Sequence, residues 1–182
     1  MNGSESLSNL VAQNTGVDSA QCYQCGKCSA GCPMAVDMEY TPNTIMRMLQ
    51  VEDEQLDEDL LKSESIWMCV SCEMCFSRCP KAIDIPKAVD YLRERSLQKG
   101  VQHLKAKDII RFHESFMDMV RTTGRSYEVG LVIDYKLRSG NLFQDVQLFP
   151  ALLQKGKLPL IPEMIKGRKE VSAIFSKTKK KL

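Results

Sequence analysis

All eight cysteines of this 182-residue protein fall into two runs with one spacing. Cys22, Cys25, Cys28 and Cys32 are followed by Pro33, and Cys69, Cys72, Cys75 and Cys79 by Pro80, so each run reads C-x2-C-x2-C-x3-C-P. Thiolates are soft ligands that suit iron–sulfur clusters. Three of them, two residues apart, can wrap one loop around a cubane and occupy three of its iron corners. The fourth, three residues on and followed by a proline of fixed φ, points away from that loop. The pattern predicts two [4Fe–4S] clusters and, with them, the conduction of single electrons.

Other uses of cysteine fit the spacing poorly. A structural zinc site takes four ligands, usually as two separated pairs, and not two triplets each with a trailing Cys-Pro. A disulfide framework belongs to oxidising compartments, and no charged segment followed by an apolar one opens the chain as a secretion signal would. The expectation is a cytoplasmic, metal-binding protein.

The run is that of two-cluster bacterial ferredoxins, in which the fourth cysteine ligates the other cluster. By that likeness one cluster takes Cys22, Cys25, Cys28 and Cys79, and the other takes Cys69, Cys72, Cys75 and Cys32. Such crossing staples distant segments and removes much loop entropy from the unfolded chain. Gly26, Ser29 and Gly31 are compatible with close approach of the backbone to inorganic sulfur.

The segments that must position these loops read as helices. Residues 1–20 are rich in Ser, Asn and Gly and are expected to be a loosely held, flexible lead-in. Thr41-Pro42 offers a cap and a first-turn proline, after which Ile45, Met48 and Leu49 share a face. The acids Glu52, Asp53, Glu54, Asp57, Glu58 and Asp59 read as a solvated face opposite Leu56, Leu60 and Leu61. Ser63 is expected to cap a short helix that carries Ile66 and Trp67 into the second run. Ile85-Pro86 opens another helix that runs to Gly100, a left-handed cap. The motifs therefore sit on loops between helices, as in the α-helical ferredoxin.

Helical period continues beyond residue 100. Ala106, Ile109, Ile110, His113, Phe116, Met117 and Val120 recur on one stripe up to Gly124. A second helix is expected from about Tyr127 to Leu137, ending near Gly140, and a third capped by Asn141 and bent by Pro150. After the helix-breaking Lys157–Pro162 segment comes a final basic helix ending in Lys179, Lys180 and Lys181. The fold expected is all-α: a lead-in over 1–20, an α-helical ferredoxin domain with two clusters over 21–100, and a helical extension for partner docking over 101–182.

Little else in the chain could do chemistry, and no catalytic residue is assigned. His113 lies on the apolar stripe and is expected to pack in a core; His103 sits near a helix start. Trp67, just ahead of Cys69, is expected to shield a cluster from water. No glycine-rich nucleotide loop is present, nor a run of eighteen apolar residues, so no membrane span is expected. The net charge of +2 hides an asymmetry, with nine basic and fifteen acidic residues over 1–100 against nine basic and two acidic over 151–182. Without interleaved aromatics the basic end does not suggest nucleic acid; an acidic surface suits it better.

The contexts Tyr23-Gln24-Cys25-Gly26-Lys27-Cys28 and Ile66-Trp67-Met68-Cys69 add a family likeness, together with Leu148-Phe149-Pro150, Lys155–Pro159 and Pro162–Gly167. Over roughly residues 17–175 the chain resembles the dicluster iron–sulfur subunit of heterodisulfide reductase from methanogens. The resemblance implies a non-catalytic electron relay in a cytoplasmic complex. There, a flavin-containing partner supplies electrons and a catalytic partner reduces the CoM-S-S-CoB heterodisulfide in methanogenesis, with a hydrogenase or formate dehydrogenase upstream. Two alternatives use the same cysteines. One is the iron–sulfur subunit of a quinone-linked, membrane-associated dehydrogenase, which usually adds a [2Fe–2S] domain for which no cysteine remains. The other is a free ferredoxin, for which about a hundred residues of helix beyond the second run are surplus.

Overall fold

The computed structural model describes residues 5–143, 146–156 and 161–178. Within these the regular structure is entirely helical, in an α-helical ferredoxin arrangement that divides into two compact units, residues 1–106 and 107–182. The Lys157–Leu160 part of the helix-breaking segment and Lys179–Lys181 lie outside the described residues. No helix among the described residues is long and apolar enough to cross a membrane.

The first unit carries the cysteines. Helices α1 (Leu7–Thr15), α3 (Pro42–Val51), α4 (Glu54–Lys62), α5 (Ser65–Met68) and α7 (Ile85–Lys99) surround its core, and the short α2 (Lys27–Ala30) and α6 (Met74–Ser77) lie inside the two cysteine runs. Val11, Ile45, Met46, Leu49, Leu60, Leu61, Ile66, Val89 and Leu92 are fully buried. Each supplies roughly 1.5–3 kcal/mol of hydrophobic stabilisation relative to exposure. Polar ties fix how the helices meet. The Ser96 hydroxyl on α7 donates to the Leu61 carbonyl on α4 (2.8 Å), and the Tyr40 N–H donates to the Ser65 hydroxyl (2.8 Å).

Local signals set most helix ends. Pro42 and Pro86 stand in first turns, where their missing N–H costs nothing. Asp53 accepts from the Leu56 N–H and Asp84 from the Lys87 N–H, and Gly100 closes α7 in the left-handed region. Ser63 differs from expectation. Its hydroxyl donates back to the Leu60 carbonyl at the end of α4, and α5 starts after Glu64 with no side-chain cap.

The lead-in is also more structured than composition suggested. Ser6 accepts from the Asn9 N–H and starts α1, whose Leu7, Val11 and Thr15 are buried. These residues recur every four positions, a helical stripe narrow enough to be masked by the Ser/Asn/Gly content around it. α1 packs against α7 and α3.

The second unit contains α8 (Ala106–Thr123), α9 (Glu128–Ser139), α10 (Phe149–Gln154) and α11 (Arg168–Thr178). Arg138 on α9 gathers Glu114 (3.5 Å), Asp118 (2.6 Å) and Asp134 (2.7 Å), and Phe112 meets Tyr135 edge-on at 5.9 Å. Gly124 ends α8 as expected, with the Ile165 side chain lying where a Cβ would stand. Pro150 bends nothing: it is the second residue of α10, where a proline is tolerated, and Asn141 caps no helix. His113 is exposed rather than packed, as are Phe112, Phe116 and Met117 beside it. Much of this unit's apolar surface remains open, including Ile133, Leu137 and Phe143.

Asp57, half-buried within the acidic stretch, accepts the Leu7 N–H at 3.1 Å. Burial raises its pKa, with the Leu7 N–H pulling the other way. The folded state therefore holds the proton more tightly than the unfolded chain. The stability linked to this group is present below the unfolded pKa and lost as pH rises through the folded one. Asp57→Asn, which can keep the Leu7 contact, should raise the urea midpoint at about pH 7, and the gain should shrink as the pH is lowered toward the carboxylate range.

Candidate metal centre

The two cysteine loops repeat each other in backbone conformation. Gln24 and Ser71, each just before the second cysteine of its run, have φ of 59° and 49°; Gly26 and Glu73, each just after it, have 75° and 58°. Only glycine adopts this region freely, and other residues are held there at a cost of about 1–3 kcal/mol. Right- and left-handed residues in succession aim backbone N–H groups into anion-binding hollows, a device that iron–sulfur sites share. One short helix then follows each left-handed pair, α2 in the first loop and α6 in the second, and the two pack together.

Gly31 and Arg78 occupy the same place in the two runs, directly before the last cysteine. The Arg78 side chain lies where a Cβ on Gly31 would be. The close approach that needs this glycine is therefore to a side chain from the other run.

The cysteines line two cavities. Cys22, Cys25, Cys28 and Cys79 lie on one, with about 350 Å³ of atom-free space, part of it open to solvent. Cys69, Cys72, Cys75 and Cys32 lie on the other, with about 430 Å³. Each cavity thus receives three thiols from one run and the last thiol of the other. Among the described residues no three His, Cys, Asp or Glu side chains converge so as to hold one metal ion. A single zinc would need every sulfur about 2.3 Å from one point. Thiols spread around a hollow suit a group with several metal corners.

Burial within each run follows the same order. Cys25 and Cys72 are exposed, Cys28 and Cys75 are buried, and the remaining four are half-buried. Burial pushes the Cys75 thiol up to about 11 and raises Cys28 as well. Cys25 is lowered, chiefly by the Lys27 backbone N–H. Ligation requires thiolates, and a buried thiolate needs positive charge beside it. Iron would supply that charge. The residues present therefore fit a [4Fe–4S] group, whose chemistry when bound is the uptake and release of one electron.

Polar side chains from the following helices hold the loops in place. The Gln50 amide on α3 donates to the carbonyls of Ser19 (2.8 Å) and Cys22 (2.6 Å). Arg93 on α7 donates to the Ile66 carbonyl (2.6 Å) and to that of Cys69. Each thus reaches back to the first cysteine of its own run. The Asn43 N–H donates to the Ser29 hydroxyl (3.0 Å), joining α2 to α3. Sequence reading passed over Gln50, Arg93 and Asn43. The available signal was that Gln50 and Arg93 stand in the third turn after Pro42 and Pro86. Trp67, expected to shield a cluster, is buried but lines neither cavity. The short α5 carries it into the helical core instead.

Residues 18–83 match the family model of the 4Fe-4S dicluster domain. That stretch, which holds all eight cysteines, is similar to the 4Fe-4S dicluster domain. Relatives of the chain share one description. The CoB–CoM heterodisulfide reductase iron-sulfur subunit of Methanopyrus kandleri is 39% identical over 79 residues, which are 43% of this chain and 40% of that one. The second form of the same iron-sulfur subunit in Methanocaldococcus jannaschii is 36% identical over 95 residues, 50% of this chain and 49% of that one. The corresponding chain of the ferredoxin:CoB-CoM heterodisulfide reductase of Methanosarcina acetivorans is 33% identical over 90 residues, 50% and 34% respectively. The chain thus resembles the iron–sulfur subunit of heterodisulfide reductase. It spans less than half the length of these relatives, and the likeness covers half of this chain or less rather than the expected 17–175.

Arg93 on α7, beyond the matched residues, offers a direct test of how the second loop is held. Its side chain is largely buried. Arg93→Met leaves the Ile66 and Cys69 carbonyls without this donor. The loss should be about 1–3 kcal/mol in denaturant unfolding, with faster release of iron to a chelator than from the unaltered protein.

Proposed function

We propose that the chain conducts single electrons through two [4Fe–4S] clusters, one on Cys22, Cys25, Cys28 and Cys79 and the other on Cys69, Cys72, Cys75 and Cys32. The observation that carries this reading is the lining of the two cavities, each completed by the last cysteine of the opposite run. The dicluster match over residues 18–83 supports it. The chain's own groups bind and insulate. Thiolates anchor the metal, Gln50 and Arg93 fix the loops, and apolar helices keep water from the buried thiols Cys28 and Cys75.

The place of this relay is a CoB–CoM heterodisulfide reductase complex in the cytoplasm, between a flavin-containing partner and the catalytic partner that reduces the heterodisulfide. A hydrogenase or formate dehydrogenase feeds the complex. Similarity to chains named as iron–sulfur subunits of that enzyme supports the assignment. The second unit serves as the docking extension, and its open side chains, Phe116, Met117, Ile133 and Leu137 among them, supply the apolar surface such a role requires. No residue is assigned to bond-breaking, which belongs to the partner.

Two experiments test the proposal. The loaded protein should contain eight iron and eight acid-labile sulfide, following from two four-iron clusters. Cys79→Ser should impair the cluster of Cys22, Cys25 and Cys28 and spare the other. Damage confined to the Cys69 set would overturn the crossed assignment. The isolated, reduced chain should pass electrons to dyes and leave the heterodisulfide unreduced; turnover by this chain alone would rule out a relay.

A further inference from the structure

The two loops share a backbone but differ in side-chain chemistry, and most of the differences run in one direction. Tyr23 stands where the second loop has Val70, Gln24 where it has Ser71, Lys27 where it has Met74, and Ser29 where it has Phe76. Gly26 is answered by the anionic Glu73.

The cavities inherit this contrast. On the Cys22 side, the Gln24 amide donates to the Cys22 sulfur at 3.3 Å, and the Ser29 hydroxyl stands 4.0 Å from the Cys28 sulfur. Tyr23 and Lys81 line the wall, and Lys27 stands between Cys25 and Cys28 in the loop. On the Cys69 side the wall includes Met34, Met38, Ile45, Val70, Met74 and Val89. Glu73 is the one charged residue among that cavity's lining.

Reduction adds one negative charge. Donors to sulfur and nearby cations favour that charge, while an apolar wall and a carboxylate disfavour it. Three groups could blur the contrast. Arg93 donates to the Cys69 carbonyl, but Asp90 pairs with it at 3.1 Å and offsets its charge. Arg78 directly precedes Cys79, and its side chain lies over Gly31, which precedes Cys32, so it adjoins a member of each set. Glu52 shares a hollow with Cys22, but Arg47 lines the same hollow and offsets it.

We infer that the Cys22, Cys25, Cys28 and Cys79 set, with Gln24, Tyr23, Lys27 and Lys81 around it, holds an electron more tightly than the Cys69, Cys72, Cys75 and Cys32 set, and is the exit end of the relay. The inference rests on the reading that each set holds a [4Fe–4S] cluster. One electron from a reduced flavin or iron–sulfur donor enters on the Cys69 side and leaves the donor oxidised by one. Its passage to the Cys22 side reoxidises the entry site and reduces the exit site by the same electron. No proton moves and no bond is made or broken.

A redox titration of the cluster-loaded protein, followed by electron paramagnetic resonance, tests the order. Two one-electron waves are expected. Gln24→Leu should lower the electron affinity of the higher wave about tenfold, about 59 mV for one electron, with the lower wave fixed. Tyr23→Phe should shift the same wave in the same direction, and because Tyr23 is exposed, this variant serves if Gln24→Leu does not load. Met74→Lys, which copies Lys27 into the second loop, should raise the lower wave and narrow the gap. Movement of the lower wave by the Gln24 or Tyr23 variants, or of neither wave, overturns the order. A wild-type protein without iron and sulfide fails earlier and removes the cluster reading itself.

Discussion

Neither cysteine run can finish its own cavity. Three thiols of a run lie on one hollow and the fourth lies on the other, so the chain from Cys32 to Cys69 must return with both loops face to face. Bringing such distant points together costs loop entropy, and the helical core of the first unit supplies the offsetting burial. α3, α4 and α5 fill the interval between the runs, and α7 follows the second; Leu49, Leu60, Ile66 and Leu92 among them are inaccessible to solvent. Bound iron would tighten the same closure, because ligation is available only to the folded arrangement.

The helices after each run do more than fill space. Gln50 and Arg93 each turn a side chain back to the carbonyl of a leading cysteine, so displacement of a helix is felt at the start of its loop. Both anchors are amide or guanidinium groups that bridge two carbonyls, a geometry that a shorter side chain could not reproduce. The left-handed residues between the cysteines are kept in place by this enclosure.

Much of this was legible in the sequence because it rests on short-range chemistry. Cysteine spacing marked the site, first-turn prolines marked α3 and α7, and Gly100 and Gly124 marked where helices stop. What the sequence hid depends on distant partners. Ser63 has the composition of a cap, yet the Leu60 carbonyl claims its hydroxyl. Trp67 sits near Cys69 in sequence, but the short helix α5 turns it into the core. His113 follows the apolar period of α8, yet that stripe is open at His113, Phe116 and Met117. α1 was concealed for the opposite reason, since three buried positions among polar neighbours carry too weak a pattern until α7 and α3 are present to bury them. Gln50 and Arg93 could not be singled out because their targets are backbone carbonyls, which no sequence distinguishes.

Gly31 and Arg78 bear on how such a chain could arise. The two halves are built as copies, each a cysteine loop, a short helix and an anchoring helix, and the last residue before each final cysteine faces its counterpart. In a symmetric pair of single-motif chains, that residue would meet itself across the twofold axis. Two arginines there would crowd and repel, and two glycines would leave a gap. Joining the copies into one polypeptide lifts the restriction, since each position can then change without the other. The glycine on one side and the arginine on the other are complementary in a way that two identical copies could not encode.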